Sequence, residues 1–220
     1  LRNLYIGSLF MHPDNPDILL AAAGHLIEPD TVAYMDQLED EGLPSPMGIY
    51  RTTDGGESWT QTLAGFEVFS SVEICPSDPN IVYVGSIDSI YRSEDAGVTW
   101  STVASPWGPP GVSVGFPIDM QCDPQDTERV FVNNYGGGNF LSEDSGQTWQ
   151  SSSTGYTGAD LTDIALQPDN PAIVYVNGRS GPFVSRDGGV KWQGINPIEV
   201  QDIAEGARVS VDPHNPDHVL

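Results

Sequence analysis

The sequence predicts an all-β protein, a β-propeller of four-stranded antiparallel blades, on three observations. The motif Ser/Thr-x-Asp-x-Gly-x-x-Trp returns four times, a turn followed by a β-branched strand returns five times, and the two alternate. The four motifs are TTDGGESW (52–59), SEDAGVTW (93–100), SEDSGQTW (142–149) and SRDGGVKW (185–192), with tryptophans 41, 49 and 43 residues apart. The turn-and-strand partners are HPDNPDILL (12–20), CPSDPNIVY (75–83), DPQDTERVF (123–131), QPDNPAIVY (167–175) and DPHNPDHVL (212–220). A period of this length, punctuated by Gly, Pro and Asp between short apolar runs, is that of a propeller blade.

Each unit reads as four strands. Strand A precedes the Pro/Asp/Asn turn, B is the run of the IVYVG type, C leads into the Asp motif, and D follows its Trp. Superposed, the A strands bring Met11, Ile74, Cys122, Leu166 and Val211 to one position and Leu9, Val72, Met120, Ile164 and Val209 to the position two before it. That period-two alternation marks strands with a buried side. The units run approximately 1–63, 64–106, 107–155, 156–197 and an incomplete 198–220, about four and a half blades. An open ring leaves unpaired edges, so a fragment of a larger ring is expected.

Within each motif, Asp accepts backbone N–H groups, Gly takes a positive φ, and Trp anchors the turn on the blade. Four copies spread around a ring cannot converge on one substrate. Asp54, Trp59, Asp95, Trp100, Asp144, Trp149, Asp187 and Trp192 are therefore read as structural. The motifs resemble the Asp-box (BNR) repeats of sialidases, xyloglucanase-type glycoside hydrolases, sortilin-type receptors and a photosystem II assembly factor, and the resemblance spans essentially the whole chain. It departs at Thr52, Ser58, Ala96, Ser145 and Lys191. It implies a parent ring of six to eight blades and that the boxes lie on the face away from any active site, which leaves the B–C and D–A loops to carry function.

The net charge of −23, with 8 Lys plus Arg against 31 Asp plus Glu, repels phosphates and anionic lipid and argues against a nucleic-acid partner. No apolar run is long enough to span a membrane, and no signal peptide is visible. Two cysteines form neither a disulfide-dense scaffold nor a C-x-x-C site. The repeat alignment sets Cys122 at the apolar A position and Cys75 one step beyond it with the opposite facing, which speaks against a bridge.

On the expected functional face, Trp107 in SPWGPPG (105–111) is required by no repeat and reads as a sugar-stacking platform or as a plug between blades. Asn133, Asn134 and Tyr135, before three glycines, form a second candidate binding loop whose plainer reading is a tight turn. Arg179 and Arg208 complete the ligand-binding candidates. Three positions before the A anchor stand Ser8, Ser71, Asp119, Asp163 and Arg208, a polar ring around the tunnel mouth. Asp119 and Asp163 are the weak candidates for a catalytic acid and base, and the plainer reading is that they hold water or an ion. The first B–C connection, from about His25 to Met47, carries Asp30, Tyr34, Asp36, Glu39, Asp40 and Glu41. Its length suits a lid, a binding element or disorder; calcium is a minor alternative there, since it lacks the spacing of a calcium loop. Pro213 and Pro216 place His214 and His218 in a turn, which removes a helical metal pair. No cofactor and no metal ligand set is expected.

These residues favour an extracellular recognition module for a glycan or surface protein: secreted, periplasmic or on the cell surface, with the remaining blades supplied by a parent chain. The alternative is a xyloglucanase-like glycoside hydrolase with catalytic residues partly outside this segment. A structural scaffold is the third reading. Sialidase chemistry is disfavoured by the shortage of arginines on the loop face. A xyloglucanase-type enzyme is expected to place one catalytic Asp in an early Asp-x-Gly-Gly loop, for which there is no early counterpart.

Overall fold

Period-two runs bounded by turn residues become strands throughout the chain. In the computed structural model, residues 6–24, 38–65, 67–109, 114, 117–134, 138–152, 161–178, 181–194, 209–212 and 215–219 are described. The first blade is β1 (Ile6–Met11), β2 (Leu19–Ala23), β3 (Gly48–Thr52) and β4 (Thr60–Ala64). The second is β5 (Phe69–Ile74), β6 (Val82–Ser86), β7 (Ile90–Ser93) and β8 (Ser101–Ala104). The third is β9 (Pro117–Asp123), β10 (Asp126–Asn134), β11 (Asn139–Ser142) and β12 (Gln150–Ser151). The fourth is β13 (Leu161–Leu166), β14 (Val174–Gly178), β15 (Gly181–Ser185) and β16 (Gln193–Gly194), followed by a β17 (Val211–Asp212) and β18 (Asn215–Val219) pair. Each of the four complete sheets is an antiparallel meander in chain order. Hairpin connections keep consecutive strands adjacent.

The two faces of each blade bury different side chains, and the core lies between blades. Leu20, Ala22 and Ile49 of the first blade meet Val72, Ile74, Val82 and Val84 of the second. Tyr83 and Ile90 of the second meet Met120, Cys122, Val130, Val132 and Phe140 of the third. Phe131 and Leu141 of the third meet Ile164, Leu166, Val174 and Val176 of the fourth. A-strand residues at the anchor position and two before it thus face the preceding blade, and those between them face the following one.

On β1 this rule has a visible exception. Leu9 and Met11 are 59% and 55% exposed, while their equivalents Val72 and Ile74 are 3% and 2% exposed. The anchor expected at Met11 is not buried, because no described residue stacks on that face of the first blade.

The cysteines also depart from expectation. Cys75 and Cys122 form a disulfide with Cα atoms 5.2 Å apart. Opposite facings would separate two cysteines on neighbouring strands of one sheet. On stacked blades they aim the side chains at each other: Cys75, just after β5, faces the third blade, and Cys122 on β9 faces the second, both in one buried cluster.

Candidate functional site

The Asp boxes set one end of the molecule. In the second box, Ser93 Oγ donates to Asp95 Oδ1 at 2.8 Å and accepts from the Gly97 N–H at 2.9 Å. Asp95 Oδ1 accepts from the Thr99 N–H at 2.7 Å and Oδ2 from the Thr99 hydroxyl at 2.6 Å. The Thr99 hydroxyl, with its backbone N–H, pulls the exposed Asp95 carboxyl down to about 2, and the Ser58 hydroxyl does the same for Asp54. Asp144 and Asp187 are also lowered: the hydroxyl and N–H of Thr148 outweigh burial at Asp144, and the Lys191 N–H leads at Asp187. All four carboxylates are therefore committed to their own turns.

Each box docks on the A–B turn of its own blade. The N–H of Gly55, Ala96, Ser145 and Gly188 donates to the carbonyl of Asp17, Asn80, Glu128 and Ala172 respectively. The two repeated motifs thus meet, which assigns the C–D and A–B turns to one face. At Gly97, φ is +81° and an added Cβ would lie 2.8 Å from Leu20 of the first blade, so both backbone and packing demand glycine there.

The inner strands carry the other polar group of interest. Each A strand borders the tunnel, and its outward N–H groups lack a partner within their own sheet. Carboxyls from the preceding blade fill the gap: Glu73 Oε1 accepts from Cys122 N at 3.1 Å, Asp119 Oδ2 from Ile164 N at 3.3 Å, and Asp163 Oδ2 from Val209 N at 2.7 Å. In each case the acceptor's repeat position is one before the donor's. These three contacts clasp the second blade to the third, the third to the fourth, and the fourth to the next inner segment.

Glu73 and Asp163 are buried, and Asp119 is half-buried. Glu73 and Asp119 are held well above the usual carboxylate range, in both cases first by desolvation and then by the neighbouring Asp119 or Asp163 charge. Asp119 and Asp163 both line a cavity of about 390 Å³ bordered by Ser8, Val72 and Gln121. Among the described residues lining that cavity none is basic.

Register extends the polar group outward from the tunnel. Asn133 on β10 lies opposite both Asp119 on β9 and Asn139 on β11. Asp119, Asn133 and Asn139 thus form a row facing the fourth blade. On the fourth blade Asp163 lies opposite Asn177, which is also buried; this pair faces the next inner segment, where Asp163 meets Val209 N. Asn133 and Asn139 are both completely buried, and neither amide has a partner for its nitrogen or its oxygen.

The expected binding residues are therefore distributed unevenly. Asn133 is in this layer, whereas Asn134 is buried on the opposite side, paired with Pro117. Trp107 is 3% exposed, edge-on to Phe140 and Trp149, and donates from Nε1 to the Ile87 carbonyl at 3.3 Å. It fills the seam between the second and third blades, and its ring has no free face for a sugar, which corrects the stacking reading. Tyr135, Arg179 and Arg208 lie outside the described residues, as do Asp30, Tyr34 and Asp36 of the acidic insertion and His214. At the end of that insertion Leu38 and Met47 join the first inter-blade core while Glu39, Asp40 and Glu41 stay exposed. The alignment of A strands did not single out Glu73, although it occupies the next-blade-facing position of its strand. Asn139 could be found only from the β10–β11 pairing.

No family model matches the chain. It is 30% identical over 111 residues to a xyloglucanase of Acetivibrio thermocellus, a match covering 46% of this chain and 12% of the relative. It is 29% identical over 183 residues to a xyloglucanase of Paenibacillus sp, covering 76% of this chain and 16% of the relative. With the xyloglucanase of Hypocrea jecorina it shares 27% identity over 207 residues, 74% of this chain and 24% of that protein. The chain thus spans under a third of the length of the curated relatives it matches. Among solved structures, a Niastella koreensis GH74 enzyme aligns over 96% of this chain and 34% of its own with a TM-score of 0.66 at 19% identity. YCF48 from Cyanidioschyzon merolae aligns over 98% of this chain and 62% of its own with a TM-score of 0.62 at 12% identity.

The fold is that of a β-propeller. At these identities the structural likeness speaks for the fold alone. Within it, the box turns occupy one face, and the buried carboxyl and amide layer lies toward the other, beside the β10–β11 connection.

Proposed function

We propose that this chain is part of a xyloglucan-acting glycoside hydrolase and that it supplies propeller framework and glycan-cleft wall rather than a complete catalytic pair. The observation that carries this reading is the sequence similarity to xyloglucanases, which extends over 76% of the chain for the Paenibacillus relative and 74% for the fungal one. It favours the hydrolase over a pure recognition module.

The carboxyl geometry limits what this segment does alone. Asp119 and Asp163 each commit an oxygen to a backbone N–H of the adjacent blade. They hold the ring together, and the reacting carboxylates belong to other parts of the parent polypeptide. The exposed Leu9 and Met11 face fits the same reading, because a further blade would bury it as the first blade buries Val72 and Ile74. The buried disulfide favours an oxidising compartment, as a secreted or periplasmic enzyme would have.

The test compares two proteins on xyloglucan and on an unsubstituted β-glucan. The parent polypeptide is expected to release reducing ends from xyloglucan, and the 220-residue chain to bind xyloglucan oligosaccharides without cleaving them. Release of reducing ends by the short chain would show that the catalytic pair lies inside it.

A further inference from the structure

The third and fourth blades carry the same small surface pocket, at the outer edge where strand C runs into its box and strand D leaves it. In the third blade it measures about 250 Å³ and is lined by Leu141, Glu143, Asp144, Thr148, Trp149 and Gln150. In the fourth it measures about 230 Å³ and is lined by the repeat-equivalent Val184, Arg186, Asp187, Lys191, Trp192 and Gln193. The register is shared as well, with Leu141 opposite Gln150 and Val184 opposite Gln193. The repeat therefore builds the shape, and the side chains alone distinguish the two pockets.

They differ in charge. The third-blade pocket holds the carboxylates of Glu143 and Asp144 and no cation, whereas the fourth holds Arg186 and Lys191 beside Asp187. A cross-strand bond reverses its polarity to match: Gln150 Nε2 donates to Glu143 Oε2 at 3.3 Å, while Gln193 Oε1 accepts from Arg186 Nη1 at 3.4 Å. Lys191 is the only lysine among 220 residues. It stands where the other three boxes have a hydroxyl, of Ser58, Thr99 or Thr148, that donates to the box carboxylate. The fourth box gives up that bond, and Asp187 Oδ1 keeps those from Ser185 Oγ and the Lys191 N–H. The other described arginines are engaged: Arg51 donates to the Ala96 carbonyl, and Arg92 and Arg129 pair with Glu94 and Asp123. Among the described residues, neither Arg186 nor Lys191 has an ion-pair partner, and both are exposed.

We propose that the fourth-blade pocket binds a uronate, a single acidic sugar unit of an otherwise neutral glycan, with Arg186 and Lys191 on its carboxylate. A planar guanidinium takes a carboxylate through two parallel bonds, and an ammonium adds a point charge. The Gln193 amide beside them both donates and accepts, as sugar hydroxyls require. The pocket is smaller than the about 300–1,000 Å³ of a drug-sized site, so it admits one unit rather than a length of chain. The net charge of −23 narrows the class further. A polyanion meets that field along its whole length. An isolated carboxylate does not, because salt screens exposed charges over about 8 Å at physiological strength, and the two adjacent cations decide its binding. The choice of a sugar rests on the glycan-acting reading, whereas the recognition of charge rests on the pocket itself. Since the pocket borders a box turn, it holds glycan away from the loop face.

The experiment uses the full 220-residue chain with methyl glucuronide as probe, neutral methyl glucoside as its counterpart, and N-acetylglutamate amide as a carboxylate without a sugar. Reductive ¹³C-methylation keeps the lysine charge and gives one side-chain NMR signal, that of Lys191, besides the terminal amine. The glucuronide is expected to shift that signal saturably and to bind about ten-fold or more tighter than the glucoside, the margin of one charge-assisted hydrogen bond. Arg186→Glu with Lys191→Thr copies the third-blade pattern and restores the box hydroxyl; calorimetry should show the preference gone while Tm is kept or raised. In the reverse direction, Glu143→Arg with Thr148→Lys should add a second glucuronide site. Equal responses to glucuronide and glucoside overturn the proposal, as does an undiminished preference in the Arg186→Glu, Lys191→Thr variant or a folded third-blade variant that gains no site. N-acetylglutamate amide binding as tightly as the glucuronide overturns the sugar assignment. A parent polypeptide that leaves xyloglucan uncut removes the hydrolase reading alone, because the glucuronide preference of this chain is measured without it.

Discussion

Removing the inter-blade disulfide is expected to cost about 4 kcal/mol. The bridge joins Cys75 and Cys122 across 47 residues of chain, a loop that runs from the end of β5 through most of the second blade to β9. In the chain-entropy account the lost freedom is about −2.1 − 1.5R ln n cal/mol/K, which for this loop is about 4 kcal/mol at 25 °C. A chain of this size loses about 2–4 °C of Tm per kcal/mol, so Cys75→Ala with Cys122→Ala should melt about 8–16 °C below the native protein. Both sulfurs are buried at one seam, and truncation there adds to the loss. Urea denaturation under non-reducing conditions supplies the free energy, and its m-value should rise because the unbridged unfolded chain exposes more surface. A loss below about 1 kcal/mol, or two free thiols in the denatured native protein, would refute the reasoning.

Three further outcomes follow from particular residues. Ala96 and Ser145 occupy the first position of the central box pair at φ 56° and 62°, where the other two boxes have Gly55 and Gly188, so Ala96→Gly and Ser145→Gly should each stabilise by about 1 kcal/mol in thermal melts. Stability should peak on the acid side of neutrality. Box carboxylates with lowered values contribute fully above the unfolded Asp value of about 3.9 and lose their contribution as pH falls toward about 2. Glu73 and Asp119, with raised values, contribute below their unfolded values, and that contribution is lost as pH rises through the raised folded ones. Glu73→Gln keeps an oxygen for the Cys122 N–H and removes the charge; it should leave Tm near pH 4 little changed and raise it at pH 8, and equal effects at both would sink this assignment. Finally, Leu9→Asp with Met11→Asp should shift the isolated chain toward monomer in light scattering, and a wild type already monomeric would remove the reason for it.

The fold was legible because repetition turns weak local signals into a register. One Asp box is a plausible chance turn, but four boxes in step with five A strands assign an inward and an outward facing to every residue between them. The same alignment placed Asp119 and Asp163 together at the tunnel. It did not say that each would spend an oxygen on the backbone of the next blade, because that bond depends on an edge N–H left over by stacking. The disulfide was misjudged for a related reason: facing was compared as though the two A strands shared a sheet, when stacked blades present opposite faces to each other. Trp107 lacked any repeat rule, and only the Phe140 and Trp149 rings against it decide that it is core. The amide pair was half visible. Asn133 stood out beside the glycines, while Asn139 gains its meaning from lying directly across the hairpin.

The measurement that bears most directly on the proposed role is a reducing-end assay of the parent polypeptide on xyloglucan, run beside calorimetric binding of xyloglucan oligosaccharides to this chain alone. Cleavage by the parent, with binding and no cleavage by the short chain, is the predicted result. A parent polypeptide that leaves xyloglucan intact while the short chain fails to bind its oligosaccharides would contradict the account.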